Sequence, residues 1–153
     1  MKKIFTLILL IFTLFSSHSQ KTYFPNYQLL ADSLETVYKI PSAVILAVAY
    51  YESGGGKSRV ALLLNNHFGI VGSNNLLKTH GIKSRYKYYP SVMDSYIGFC
   101  KLVSNKKYYT NLVENNVTDN KKWISSIASA GYAQNAQKWT SSMLNVIRIY
   151  DLK

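Results

Sequence analysis

The stretch "AYYESGGGKSRVALLLNNHFGI", from Ala49 to Ile70, places a single carboxylate between an apolar run and a flexible turn. The preceding "AVILAVAYYE" is apolar nearly all round, which predicts a buried central helix. Glu52 ends that helix and three glycines follow soon after. A carboxyl at the rim of a core is partly desolvated, which raises its pKa. Glu52 is therefore a candidate general acid, although a local hydrogen bond or ion pair is the simpler explanation for an isolated glutamate.

Helical periodicity flanks this stretch on both sides. Before it, "YQLLADSLETVYKI" has one apolar helical face and is ended by Pro41. After it, "SRVALLLNN" predicts a short third helix, and helical periodicity returns from Ser91 onward. Between Phe68 and Tyr89 the chain is aromatic and rich in turn residues, which predicts a small β-hairpin lobe. The sequence therefore predicts an α+β, mostly α fold, with a small β-hairpin lobe after the buried helix.

The first twenty residues predict a cleaved signal peptide. They contain a basic "MKK", an apolar "IFTLILLIFTLF" and a polar "SSHSQ" with small residues. A membrane-spanning helix needs roughly 20 apolar residues, and this run is shorter. We expect cleavage after Ser19 or Gln20, leaving one domain of residues 21–153. That domain is expected to be exported, periplasmic or secreted, without stable membrane insertion.

The net charge of the mature domain indicates what kind of partner it binds. Without Lys2 and Lys3 the chain has sixteen Lys and Arg against seven Asp and Glu, a net charge of +9. Such a charge favours a polyanion, although simple solubility explains it equally well. Export and the scattered basic residues disfavour nucleic acid as the partner.

Cys100 is the only cysteine and has apolar neighbours, which predicts a buried structural thiol.

Several segments, in order, resemble the glucosaminidase-type domain of glycoside hydrolase family 73, found in flagellar muramidases and autolysins. "AVILAVAYYESGGGKS" and "NNHFGI" are similar to the family's buried helix ending in Glu-Ser-Gly-x-Gly-x-Ser and to its Asn-x-Phe-Gly-Ile segment. "YKIPSAVILA", "YKYYPSVMDSYIGFCKLV", "KKYY" and "GYA" match in the same order. The resemblance covers nearly the whole mature chain.

The resemblance implies a lysozyme-like fold and cleavage of the β-1,4 bond after N-acetylglucosamine in peptidoglycan glycan strands. It implies Glu52 as the catalytic acid and Tyr132 as a catalytic tyrosine of the cleft; a surface-loop tyrosine is the alternative. The implied substrate-binding residues belong to the motif serine, the glycine turn and the Asn-x-Phe-Gly segment: Ser53, Gly54, Gly56, Asn66, Phe68 and Gly69. We expect no cofactor, and no metal site, because the histidines lack paired-ligand spacing.

Three departures from the family pattern bear on the mechanism. The predicted lobe, "VGSNNLLKTHGIKSRYKYY", contains no acid, where many members have a second one. The usual Tyr-Ala-Thr-Asp is "YAQN", and His67 replaces an apolar residue, which favours packing. Inverting glycosidases place two carboxyls about 6.5–9.5 Å apart. Asp94 is expected to be a helix-terminal acid, and Glu114 and Asp119 are expected to be solvated.

The identity of the second catalytic group therefore stays open. It is the substrate's acetamido group, its 6-hydroxyl, a distant carboxylate or a water held by Tyr132. The preferred function is an exported peptidoglycan hydrolase. The alternatives are a single-glutamate lytic transglycosylase and a non-catalytic cationic wall-binding module. No nucleic-acid-binding module is recognised, and the oligomeric state stays open.

Overall fold

Helices make up most of the described chain. The computed structural model describes residues 22–153, so the predicted signal peptide, residues 1–20, lies outside the described residues. Within that range the α-helices are α1 (Tyr23–Tyr38), α2 (Ser42–Ser53), α3 (Arg59–Leu64), α4 (Leu76–His80), α5 (Val92–Ser104), α6 (Lys107–Glu114), α7 (Asn120–Ile127) and α8 (Ala136–Tyr150). A π-helical turn (Ala128–Tyr132) lies between α7 and α8. The prediction of a mostly helical domain is confirmed.

α2 is the central helix of the core. Every residue from Ala43 to Ala49 is at most 1% exposed, as expected for a helix that is apolar on all sides. The helix packs against α1, α5, α7 and α8. It ends at Gly54, whose φ of 59° is left-handed and therefore suits glycine. The end of α2 brings Glu52 to the rim of the core.

Aromatic rings connect the segment after α3 to the π-helical turn. Phe68 stacks on Phe99 of α5 with ring centroids 4.4 Å apart. Phe99 in turn meets the ring of Tyr132 edge-on at 5.8 Å. Each such pair contributes about 0.5–1.5 kcal/mol beyond the burial of its area. These contacts fix the position of the Phe68 segment relative to Tyr132.

The predicted β-hairpin lobe is not present, and this part of the fold prediction is wrong. Among residues 22–153 no β-strand forms. Between Phe68 and Tyr89 there is one isolated antiparallel bridge, from Val71 to Tyr86. The middle of the segment is the short helix α4.

Asparagine side chains bind backbone carbonyls on both sides of the bridge. The amide of Asn74 donates to the carbonyls of Ser84 and Tyr86 at 3.0 and 2.7 Å. The amide of Asn66 donates to the carbonyls of Ile70 and Lys87 at 2.8 and 2.9 Å. The Ile70 carbonyl also accepts from the backbone N–H of Lys87 at 2.8 Å, and the N–H of Gly72 donates to the carbonyl of Arg85 at 3.0 Å. Side-chain and backbone hydrogen bonds together therefore order the segment.

Cys100 is fully buried in α5, and burial raises the pKa of its thiol to about 12. The prediction of a buried thiol is confirmed.

No helix within residues 22–153 is both long enough and apolar enough to cross a bilayer.

Candidate active site

Glu52 is the last residue but one of α2, and its side chain is half-buried. Removal of the carboxyl from water raises its pKa, and a hydrogen bond from Trp139 offsets part of the rise. A carboxyl with a raised pKa keeps its proton closer to neutral pH. The raised pKa that the sequence predicted for this helix end is therefore confirmed.

Trp139, near the start of α8, holds the Glu52 carboxyl. Its Nε1–H donates a 2.7 Å hydrogen bond to Oε1 of Glu52, and its ring centroid lies 5.4 Å from that of Tyr132. The side chain of Asn135 caps α8 by accepting from the backbone N–H of Lys138. Sequence analysis missed Trp139, because 87 positions separate it from Glu52. The available signal was a tryptophan shortly after the "GYA" match.

Gly69 lies against the other carboxyl oxygen of Glu52. A Cβ on Gly69 would lie 3.7 Å from Oε2, and the backbone there has a φ of +64°. This left-handed conformation strains any residue with a side chain. Glycine therefore allows the chain to pass directly beside the carboxyl.

Two adjoining cavities share Glu52 and Tyr132 in their walls. The central cavity has a volume of about 350 Å³, and Phe68, Gly69, Lys106 and Tyr108 also line it. The flanking cavity has a volume of about 390 Å³ and is also lined by Tyr51, Gln134, Asn135, Lys138 and Trp139. A chain-like ligand that occupied both cavities would pass over the Glu52 carboxyl.

Tyr132 ends the π-helical turn, and its hydroxyl points toward the Phe68 segment. The hydroxyl donates a 2.6 Å hydrogen bond to the carbonyl of Phe68. Burial raises the pKa of Tyr132 well above its usual range, and the nearby Glu52 charge adds to the rise. The phenol therefore stays neutral, and its oxygen keeps a lone pair for a further hydrogen bond.

Phe68 and Asn66 support the wall of the central cavity in different ways. Phe68 is a buried core ring that also lines the cavity. Asn66 is 1% exposed, and its Oδ1 accepts from the backbone N–H groups of Phe68 and Ile70 at 3.3 and 3.1 Å. Asn66 holds the turn that presents Phe68 and Gly69, and it does not itself line the central or flanking cavity.

Ser53, Gly54 and Gly56 lie behind Glu52, and none of them lines the central or flanking cavity. The buried Ser53 hydroxyl accepts from the N–H of Gly56 at 2.8 Å. A Cβ on Gly56 would approach the ring of Tyr23 to 3.2 Å. In this structure the three residues shape the turn after α2, and their predicted contact with substrate stays a prediction.

His67 belongs to an aromatic cluster on the buried side of the glycine turn. Its Nδ1 shares a 2.7 Å hydrogen bond with the hydroxyl of Tyr23, which also meets the hydroxyl of Tyr96 at 3.0 Å. Burial lowers the pKa of His67 to about 4, so the ring is neutral near neutral pH. The expectation that His67 packs in the core is confirmed.

The three acids considered as partners for Glu52 lie elsewhere. Asp94 is in the first turn of α5, and its Oδ2 accepts from the Ser91 hydroxyl at 2.7 Å. Asp119 caps α7 by accepting from a backbone N–H at 2.7 Å. Glu114 ends α6 and is exposed.

All seven acidic residues of the chain fall within the described range. Apart from Glu52, none of them lines the central or flanking cavity. Glu52 therefore supplies the one carboxyl of the two cavities, and the neutral phenol of Tyr132 lies in the wall of both. Within residues 22–153, no three His, Cys, Asp or Glu side chains cluster closely enough to hold a metal ion.

The family model Glucosaminidase, described as mannosyl-glycoprotein endo-β-N-acetylglucosaminidase, matches residues 28–152. A search of curated protein sequences found no match.

Two solved structures share the fold. The chain is similar to the catalytic domain of the autolysin Auto from Listeria monocytogenes, with 24% sequence identity and a TM-score of 0.72, over 87% of this chain and 85% of that one. It is also similar to a chain of a type VI secretion system effector–immunity complex from Pseudomonas protegens. That match has 18% identity and a TM-score of 0.59, over 86% of this chain and 93% of that one.

Proposed function

The chain belongs to the glucosaminidase family, glycoside hydrolase family 73, and from that membership we propose that it is an exported peptidoglycan hydrolase with Glu52 as its general acid. As a family member it is a glycoside hydrolase of the endo-β-N-acetylglucosaminidase type. The proposed bond is the β-1,4 linkage after N-acetylglucosamine in the glycan strand. The observation that carries the proposal is the position of the Glu52 carboxyl, with its raised pKa, between the central and flanking cavities.

Three observations support peptidoglycan as the substrate. The similar Listeria domain is described as the catalytic domain of an autolysin. The two adjoining cavities suit a linear polymer better than a compact ligand. The predicted mature net charge of +9 would attract an acidic wall. The predicted signal peptide supports export.

In the proposed reaction, protonated Glu52 transfers its proton to the glycosidic oxygen. The bond from that oxygen to the anomeric carbon breaks, and its electron pair stays with the oxygen. A proton donated at this stage lowers the barrier by avoiding a free alkoxide, which contributes about 10²–10⁴ in rate. Oε1 is held by Trp139, so the side of the carboxyl that faces Gly69, Oε2, is the better placed donor.

The substrate itself is the proposed source of the second group, because no other acid lines the central or flanking cavity in the described chain. The acetamido carbonyl oxygen of the N-acetylglucosamine attacks the anomeric carbon as the leaving group departs. Water then opens the resulting ring, with ionised Glu52 accepting a proton from that water. The oxygen of Tyr132, whose hydrogen is donated to Phe68, is available to accept from the acetamido N–H.

A lytic transglycosylase is the second candidate, and the single carboxyl in the cleft favours it as well. In that reaction the sugar's own 6-hydroxyl attacks the anomeric carbon, and its proton passes to Glu52. The product then has a 1,6-anhydro end instead of a reducing end. A wall-binding module without catalysis would form neither product.

Mass spectrometry of peptidoglycan digested with the protein tests these proposals directly. Hydrolysis as proposed releases fragments with N-acetylglucosamine at the reducing end. Fragments with 1,6-anhydro ends would show that the protein is a lytic transglycosylase and not a hydrolase. Fragments with N-acetylmuramic acid at the reducing end would contradict the assigned bond. A wall that stays undigested would support the wall-binding module without catalysis.

A further inference from the structure

A third cavity adjoins the central cavity on the side of Lys106 and Tyr108. It has a volume of about 570 Å³ and lies between α6, α7 and the π-helical turn. Its polar lining consists of Lys106, Lys107, Tyr108, Ser125, Ser126 and Ser129, and we call it the basic cavity. Lys106 and Tyr108 line both the basic cavity and the central cavity. A glycan strand bound over Glu52 therefore lies next to the basic cavity.

The basic cavity offers positive charge and hydrogen-bond donors, with no carboxylate in its lining. Lys106 and Lys107 are exposed, and within residues 22–153 neither ammonium forms an ion pair. Burial raises the pKa of Tyr108 to about 12, so its hydroxyl keeps its proton. In the described part of the chain, that hydroxyl and those of Ser126 and Ser129 make no hydrogen bond. Unpaired donors of this kind suit an anion with several oxygen atoms.

Peptidoglycan supplies such an anion next to the scissile bond. N-acetylmuramic acid, which alternates with N-acetylglucosamine along the strand, carries a short stem peptide with free carboxylates. N-acetylglucosamine carries none. A groove that holds the strand at Glu52 therefore brings a stem peptide within reach of neighbouring surfaces.

We propose that the basic cavity binds the free carboxylates of the stem peptide, so that the enzyme prefers peptide-bearing glycan to naked glycan. The inference rests on the proposed peptidoglycan substrate and adds a specificity subsite to it. Lys106 and Lys107 supply the charge, and the hydroxyls of Tyr108, Ser126 and Ser129 supply direction. Because both ammonium groups are exposed, water and salt weaken each contact. We expect the two lysines together to change affinity by about tenfold.

A matched pair of ligands isolates the carboxylates. One is a disaccharide that carries a stem peptide with free carboxylates, and the other is the same molecule with those carboxylates amidated. Binding is measured by calorimetry at physiological salt, in a Glu52→Gln background that prevents cleavage. We expect the free-acid ligand to bind about tenfold more tightly, and we expect Lys106→Gln with Lys107→Gln to remove that preference.

Lys78→Gln is the matched control, because Lys78 is exposed on α4 and lines none of the three cavities. This variant loses the same charge and should keep the preference. Circular dichroism checks that every variant folds. Equal binding of the two ligands by the parent protein, or a preference that survives in the double variant, would overturn the basic cavity as a carboxylate subsite.

The binding result is independent of cleavage. If the protein leaves peptidoglycan intact, the proposed hydrolase function fails, while the ligand pair still measures whether the basic cavity selects carboxylates. If the protein cleaves peptidoglycan but binds both ligands equally, the subsite alone is wrong.

Discussion

The indole Nε1 of Trp139 lies 2.7 Å from Oε1 of Glu52 and donates a hydrogen bond to it. This contact joins the end of α2 to the start of α8 across the cleft. It stabilises the ionised carboxylate and so lowers its pKa, whereas partial burial raises the pKa by more. Trp139 therefore positions the carboxyl and limits how far its pKa rises.

Replacing Glu52 by Gln removes the transferable proton and leaves the size of the side chain nearly unchanged. We expect cleavage of peptidoglycan to fall by about 10²–10⁴ while binding is retained. Release of soluble fragments and sedimentation with purified wall measure the two effects. Glu114→Gln is the control, because Glu114 is exposed at the end of α6. Wild-type turnover in Glu52→Gln would exclude Glu52 as the acid.

Replacing Trp139 by Phe removes the hydrogen bond that lowers the pKa of Glu52. The pKa of Glu52 should then rise further, so the acid stays protonated to a higher pH. We expect the alkaline limb of the kcat/KM profile to move to higher pH, with turnover reduced because Oε1 is no longer held. A profile with a lower maximum of kcat/KM but an unmoved alkaline limb would mean that Trp139 only packs against the carboxyl.

Tyr132→Phe deletes the hydroxyl that donates to the Phe68 carbonyl and keeps the ring in the cleft. We expect kcat to fall strongly and glycan binding to change little, as for an interaction made mainly in the transition state. Steady-state kinetics separates the two. Tyr88→Phe, at an exposed tyrosine, is the matched control. Full turnover in Tyr132→Phe would mean that Tyr132 only lines the cleft.

His67 should make the fold less stable in mild acid. Its pKa is lowered from 6.5 to about 4 by burial, so below pH 6.5 the unfolded chain binds a proton that the native state does not. The His67 contribution to the free energy of unfolding is therefore present above pH 6.5 and is lost as pH falls toward 4. The slope approaches about 1.4 kcal/mol per pH unit within that window.

Urea unfolding at several pH values between 4 and 7 measures this slope. His67→Phe removes the titrating group and should flatten the pH dependence, even if the variant is less stable overall. His80→Phe is the control, because His80 is exposed at the end of α4. An unchanged slope in His67→Phe would assign the acid sensitivity to other groups.

The helices and the setting of Glu52 could be predicted because both depend on local sequence. α2 is apolar on all sides over consecutive residues, and Gly54 marks its end. A residue at such an end must lie where the core meets solvent. The raised pKa of Glu52 follows from that position and needs no knowledge of distant contacts.

The β-hairpin lobe could not be excluded in the same way. Aromatic and turn residues between Phe68 and Tyr89 are compatible with a hairpin, and one bridge does form. The middle of the segment forms the helix α4 instead, and the side chains of Asn66 and Asn74 bind backbone carbonyls on either side of it. The choice of those acceptors depends on how the chain folds back after α4.

The sequence by itself determined the mostly helical fold, the burial of α2 and the place of a lone carboxyl at its end, since periodicity and composition act over a few turns of chain. Only the tertiary structure decided that Trp139 holds Glu52, that Tyr132 binds the Phe68 carbonyl and that Lys106 borders two cavities. These relationships join residues from distant parts of the chain. Hydrogen bonds and cavities of this kind depend on distances in space, and helical periodicity carries no information about which helix ends meet.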